Sequence, residues 1–322
     1  MRAAVLRTPR VVSSRPLAVE NVLSPQPGLN EVVIDVHVCA MCRTDLQLCE
    51  GDLPPKRLPL IPGHQVVGTI SSVGTGVTEF AIGDRVGVAW IASTCGECAF
   101  CTTGRENLCR SALFTGWDVD GGYAESMRAR KEFVFRLPDG YDDVAVAPLL
   151  CGGVIGFRCL RVAGVSPGQR LGLYGFGASA SIVIQVARHW DCEVYVVTRS
   201  EAEQKRAREL GAVWAGPYGE TPPVPLDAAI TFAPAGDVVI AALGAVDRGG
   251  TVVVNAIHLD RIPEFDYGLL WEERVLRSVA NVTRRDVVDF LELAPQIPIV
   301  TSTSLYALSE VNNALQDLAE GR

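Results

Sequence analysis

Residues 171–180 read Leu171-Gly172-Leu173-Tyr174-Gly175-Phe176-Gly177-Ala178-Ser179-Ala180, a short apolar run that passes directly into a glycine-spaced turn. The turn has the form G-x-G-x-x-A. Gly175 permits a tight bend, Gly177 lets the backbone approach a pyrophosphate, and Ala180 is small enough for a helix to pack on the sheet. A helix candidate over 179–189 follows, and its first N–H groups are free to meet phosphate. Such a turn alone also fits an ordinary strand–turn–helix, so its surroundings decide. Residues 193–197 read as a second strand, 201–210 as a second helix stopped by Gly211, and 228–232 and 251–254 as later strands. Strand–helix alternation from Arg170 to about Ala280 predicts a doubly wound parallel sheet covered by helices. Gly175, Gly177, Ala178, Ser179 and Ala180 are its candidate dinucleotide-binding residues.

The end of the second strand should choose the cofactor. A carboxylate there would hold both ribose hydroxyls of NAD(H) and repel a 2′-phosphate. This chain has Thr198-Arg199-Ser200, and Arg199 could pair with a 2′-phosphate, which favours NADP(H). Alternatively, Arg199 stacks on the adenine or faces solvent, and NAD(H) is used.

Before the sheet the character differs. Residues 1–145 are rich in short strands and loops, with strands expected over 32–38 and 65–70. Turn signals recur at Pro27-Gly28, Pro62-Gly63 and Gly83-Asp84, which suggests a distorted barrel. A further amphipathic helix is expected over 309–321. With 322 residues and 48% hydrophobic content the chain exceeds one ordinary domain. Its net charge of -8 argues against a nucleic-acid partner, which needs a basic surface. No apolar run approaches the roughly 20 residues of a membrane span. The first residues lack the pattern of a signal peptide, so a cytoplasmic location is expected.

Ten cysteines are many for such a protein, and in a cytoplasmic chain clustered cysteines more often bind metal than form disulfides. Cys95, Cys98, Cys101 and Cys109 form a C-x2-C-x2-C-x7-C run. Four thiolates so close together can wrap one tetrahedral zinc with no open position, a structural site. Four unrelated thiols, or an iron–sulfur cluster, would share the spacing. Cys42, His64 and Cys151 also stand out, but they lie far apart. Singly, such cysteines are more often buried apolar thiols and such a histidine structural.

Taken together, Cys42-Arg43-Thr44-Asp45, Pro62-Gly63-His64, Gly83-Asp84-Arg85-Val86, the four-cysteine run, Asp120-Gly121-Gly122-Tyr123-Ala124-Glu125 and the glycine turn stand in one order along nearly the whole chain. In this the chain resembles the zinc-dependent alcohol dehydrogenases of the medium-chain dehydrogenase/reductase superfamily. The resemblance implies an α/β plus β fold: a GroES-like catalytic domain over 1–149 and 286–322, and a Rossmann cofactor domain over 150–285. It implies two zinc ions per chain, with Cys42, His64 and Cys151 as catalytic ligands and the four cysteines as structural ones. Thr44 matches the hydroxyl residue that contacts the substrate oxygen, Asp45 the carboxylate that orients the zinc-bound histidine, and Trp90 a substrate-pocket position that could equally be core packing. The implied reaction is reversible hydride transfer between an alcohol and an aldehyde or ketone, in a homodimer or homotetramer.

Three departures qualify it. Many relatives carry His where Gln47 stands, completing a proton relay, and Gln cannot act as a base near neutral pH. Many carry Glu at Gln65, so the zinc site here has one fewer negative charge. Restoring both residues is expected to raise alcohol oxidation at neutral pH. Relatives also continue with a short final strand where this chain stops at Gly321-Arg322, so either the sequence is truncated or that strand is absent and a neighbouring edge is exposed. The competing readings are a polyol dehydrogenase of the same superfamily, a zinc-free quinone or enone reductase, and a catalytically impaired relative that binds cofactor and zinc or senses redox state.

Overall fold

The computed structural model describes residues 1–257 and 259–321; Arg322, the last residue of the expected catalytic part, lies outside them. The chain forms two compact units. One comprises Met1–Cys151, Thr283–Pro295 and the chain from Thr301 onward; the other comprises Gly152–Val282 and Gln296–Val300. These bounds differ from 1–149, 150–285 and 286–322 by a few residues, and by the segment Gln296–Val300, which groups with the second unit.

The first unit opens with the antiparallel pair β1 (Arg2–Leu6) and β2 (Leu17–Asn21). Then come β3 (Glu31–Ala40), α1 (Arg43–Glu50), β4 (Gln65–Val73), β5 (Arg85–Val88) and β6 (Ile91–Ser93). The short α2 (Ala99–Thr102), β7 (Leu113–Phe114), β8 (Ser126–Arg130), β9 (Val134–Arg136) and α3 (Asp143–Val146) follow. Five strands make one antiparallel sheet in the order β8-β3-β4-β5-β9. The inward residues Val32, Ile34, Val66, Ile70, Val86 and Val88 fill its core, as the alternation in β3 requires. The register of β3 on β4 slips twice, between Val33 and Ile34 and between Val36 and Val38. Such irregularities bend a sheet toward a barrel.

The second unit runs α4 (Gly152–Ala163), β10 (Arg170–Tyr174), α5 (Ala178–His189), β11 (Glu193–Val197), α6 (Glu201–Glu209), β12 (Trp214–Gly216), β13 (Leu226–Thr231), α7 (Gly236–Ala245), β14 (Val246–Val254) and β15 (Val275–Ser278). Its strand order is β12-β11-β10-β13-β14-β15, with every neighbouring pair parallel. The chain winds outward from β10 to β12, then returns to the other side of β10. Helices cover both faces in such folds, so the central strands are apolar throughout: Leu171 to Tyr174 and Val194 to Val197 are all buried. Ligands in these sheets bind beyond the carboxyl ends of the strands where the order reverses, which here lies between β10 and β13.

Two helices belonging to the first unit close the chain, α8 (Arg284–Leu293) and α9 (Val311–Glu320). Asn312 of α9 is buried and ties to Leu17 through both its amide oxygen and its NH2 group. Among the described residues no single helix is long and apolar enough to cross a membrane.

Candidate active site

Cys42 stands immediately before α1 in an extended conformation, with φ -136° and ψ 179°. Asp45, three residues on, turns back and accepts the Cys42 N–H through Oδ2 at 2.9 Å. Its other oxygen, Oδ1, lies 3.2 Å from Nδ1 of His64. One carboxylate, 2% exposed, thus starts the helix and orients the imidazole. His64 reaches this place through Gly63, whose φ is +95°. A Cβ at Gly63 would also sit 2.6 Å from the Tyr123 ring and 2.8 Å from Cys39 Sγ. Cys151 ends the 3-10 turn Ala147–Leu150, anchored by the buried Leu149 and Leu150.

With Nδ1 held by Asp45, Nε2 of His64 faces the two thiols, 3.5 Å from Cys42 Sγ and 3.4 Å from Cys151 Sγ. Tetrahedral zinc bonds place a sulfur and an imidazole nitrogen about 3.6 Å apart. The residues therefore fit zinc, and among the described residues this set has three members, which leaves one corner of the tetrahedron to a ligand. The three ligands are unequally ready for a cation: Cys42 is ionised near pH 7, whereas His64 and Cys151 each still hold a proton. The hydrogen bond from Cys151, with the charge of His64, outweighs burial and lowers the Cys42 thiol to about 5. Cys151, as the donor to Cys42 and buried, is pushed well above its ordinary value. Burial alone would lower His64, but the charges of Asp45 and Cys42 outweigh it and raise it to about 10.

The four-cysteine set fits a closed zinc shell. Its Sγ atoms lie 3.8 Å apart for Cys95 and Cys101, 3.5 Å for Cys98 and Cys101, and 3.6 Å for Cys109 and Cys95. Tetrahedral zinc–sulfur bonds give edges of about 3.8 Å. Within the loop, buried Glu106 is neutralised by Arg284 at the start of α8, which donates to it through Nε at 3.2 Å and the backbone N–H at 2.9 Å.

Thr44 is buried in the first turn of α1. The Trp90 ring lies 4.6 Å from that of His64, and its buried Nε1 has no hydrogen-bond partner among the described residues. The sequence reading missed its companions: Phe114 and Trp117 stand 6.0 and 6.3 Å from Trp90 and 5.6 Å from each other. Lys56 Nζ lies 4.6 Å from the Trp117 ring centroid. Only aromatic residues after Cys109 hinted at this wall. Gln65 is buried and donates from Nε2 to the Ala40 carbonyl at 3.2 Å. That bond gives the amide a structural role beyond removing a charge from the zinc site.

In the second unit Gly175 follows β10 with φ +90° and donates its N–H to Val197 at the end of β11, at 2.8 Å. Among the described residues, a Cβ on Gly177 would meet nothing within 4 Å and no side chain caps α5. The first-turn N–H groups at Ala178, Ser179 and Ala180 therefore face an open cradle that suits a pyrophosphate. Thr198 is fixed on every side: its N–H donates to Gly216, its carbonyl accepts from Gln204, and its hydroxyl bonds Glu203. Arg199 beside it is exposed. The expected absence of a carboxylate at this strand end holds for the adjacent sequence but not in space, because Glu203 brings one back from α6.

Comparison with known proteins agrees with this architecture. Residues 28–139 match the alcohol dehydrogenase GroES-like domain. The chain is 47% identical over its whole length to a probable alcohol dehydrogenase AdhA of Mycobacterium tuberculosis (strain CDC 1551 / Oshkosh), covering 95% of that protein. It is 35% identical, again over its whole length, to an alcohol dehydrogenase of Geobacillus stearothermophilus, covering 96% of it. A cinnamyl alcohol dehydrogenase structure from Sorghum bicolor superposes with a TM-score of 0.89 at 26% identity, covering 99% of this chain and 95% of that one. With the doubly wound sheet and the Cys/His set already in place, the chain belongs to the zinc-dependent alcohol dehydrogenases of the medium-chain dehydrogenase/reductase superfamily.

Proposed function

We propose that the chain is an NADP(H)-preferring alcohol dehydrogenase and aldehyde reductase, holding one catalytic and one structural zinc, that interconverts small alcohols with aldehydes or ketones. The observation that carries this reading is the Cys42–His64–Cys151 set, whose edges of 3.4 and 3.5 Å suit a tetrahedral ion with one corner left over. When bound, zinc supplies a Lewis acid for the substrate oxygen, and the nicotinamide gives or takes the hydride.

The chain's own residues do the rest. Asp45 holds the Nδ1 proton of His64 so that Nε2 is the ligand atom, and fixes the ring's orientation. Thr44, two residues beyond Cys42, is assigned to exchange a proton with the substrate oxygen. Trp90, Phe114 and Trp117 offer an apolar wall that excludes water and favours aliphatic or aromatic groups over a polyol. Gly175, Gly177 and the start of α5 are assigned to the pyrophosphate, and Arg199 to a 2′-phosphate.

Self-association is supported by β15, the last strand in the sheet order, whose Val275 is partly exposed, and by Tyr267 and Trp271 in the segment before it, which are strongly exposed. A homodimer or homotetramer through this unit is the expected assembly. Six of the ten free cysteines sit in the two ligand sets, and such thiols suit a reducing compartment, which supports a cytoplasmic location.

The test is zinc content per chain together with absorbance at 340 nm, across a panel of aldehydes with NADPH and NADH. Two zinc ions and oxidation of NADPH in preference to NADH are expected. One zinc, or no turnover by folded protein, would move the assignment to a catalytically impaired relative.

A further inference from the structure

At the end of β11 the sequence offers a positive charge and no acid, yet the structure puts an acid there. Ser200 caps α6, its hydroxyl accepting the Glu203 N–H at 3.3 Å. This sets Glu203 in the first turn, where its side chain folds back and bonds the Thr198 hydroxyl. Gln204, the next residue, donates to the Thr198 carbonyl at 2.9 Å, so helix and strand end are tied twice. The same strand end accepts the Gly175 N–H through Val197 at 2.8 Å. The carboxylate and the glycine cradle thus share one short stretch of backbone.

We propose that Glu203 is a specificity-determining residue that opposes Arg199: held by Thr198, its carboxylate accepts the ribose hydroxyls of an unphosphorylated dinucleotide and disfavours a 2′-phosphate. A carboxylate near this ribose plays that part whether it comes from the strand itself or, as here, from the helix after it. Tyr218 lies within reach of both charges. Burial raises its phenol above the ordinary value, Arg199 lowers it and Glu203 raises it further. The opposing pair makes the NADP(H) preference a shallow one. The inference rests on the dinucleotide-binding reading of the second unit.

The probes are 2′,5′-ADP and 5′-AMP, which report the adenosine half without turnover. Their dissociation constants are measured by calorimetry on the full chain. Glu203→Gln is expected to raise affinity for 2′,5′-ADP relative to 5′-AMP about tenfold, the scale of one unit charge beside a doubly charged phosphate in watery surroundings. Glu203→Lys should extend the shift, and Thr198→Val should produce part of it by releasing the carboxylate. A ratio unchanged within twofold in folded Glu203→Gln and Glu203→Lys proteins would overturn the proposal. The wild-type ratio tests Arg199 separately: preference for 5′-AMP would reject NADP(H), while a tenfold rise in Glu203→Gln would still support Glu203. Failure of folded wild-type protein to bind either probe would overturn the cofactor reading and this proposal with it.

Discussion

Replacing Asp45 by Asn keeps the shape of the side chain and removes one of its two acceptors. The carboxylate now serves the Cys42 N–H at 2.9 Å and His64 Nδ1 at 3.2 Å, one oxygen each. An amide has a single oxygen, so one of these two donors must face an NH2 group. Leaving a buried donor without its partner costs about 1–3 kcal/mol. At about 1.4 kcal/mol per factor of ten, zinc should bind the Cys42–His64–Cys151 set about 10- to 100-fold more weakly, the range met when the outer partner of a metal-bound histidine is removed. The assay is competition for zinc against a chromophoric chelator at neutral pH. Zinc at the proposed four-cysteine site would serve as an internal reference, since that site shares no residue with Asp45. Equal affinity at the three-ligand site in wild type and variant, within a factor of two, would refute the role given to Asp45.

Cys98→Ser should reduce zinc from two ions to one per chain by elemental analysis and lower the melting midpoint by at least about 3 °C, because a closed shell that loses a ligand no longer holds its loop. Zinc uptake by the three-ligand set should release about two protons near pH 7: Cys42, lowered to about 5, is already ionised, whereas His64, raised to about 10, and Cys151, held above its ordinary value by burial and its bond to Cys42, must each give one up. Affinity should therefore fall as pH falls, and calorimetry in two buffers of different ionisation enthalpy measures the proton count. Gln47→His should raise the rate of alcohol oxidation near neutral pH by supplying a base, read as kcat with a primary alcohol. Gln65→Glu should instead destabilise the fold by about 1–3 kcal/mol in urea titration, because a carboxylate would face the Ala40 carbonyl that now accepts the amide at 3.2 Å. The double replacement thus combines a gain and a cost that the sequence reading had treated as one gain.

What was legible in the sequence was what the chain encodes locally. The glycine turn needs three positions within one strand–helix junction, and the four cysteines lie within a single loop, so spacing alone carries both. Cys42, His64 and Cys151 come from the start of a helix, a glycine bend and a 3-10 turn. No spacing rule joins them, and only resemblance to a known family singled them out. Glu203 escaped notice because the rule for cofactor choice looks at the strand end, while its carboxylate arrives from the following helix. Phe114 and Trp117 were invisible for a similar reason, since aromatic residues in an irregular segment have no period to betray the face they share with Trp90. β15 was missed too, because its short run at Val275–Ser278 follows a long irregular stretch.

The ligand positions also have a meaning in the language of polymer chains. His64 is 22 residues from Cys42 and 87 from Cys151, whereas Cys95 and Cys109 are only 14 apart. An ion shared by distant points is a crosslink, and the entropy it takes from the unfolded chain grows with the logarithm of the loop it closes. For loops of 87 and 14 residues the difference is about 1.5 kcal/mol. The three-ligand centre is therefore the longer tether of the two. Stripping it should loosen the whole first unit, while stripping the four-cysteine centre should loosen chiefly its own loop.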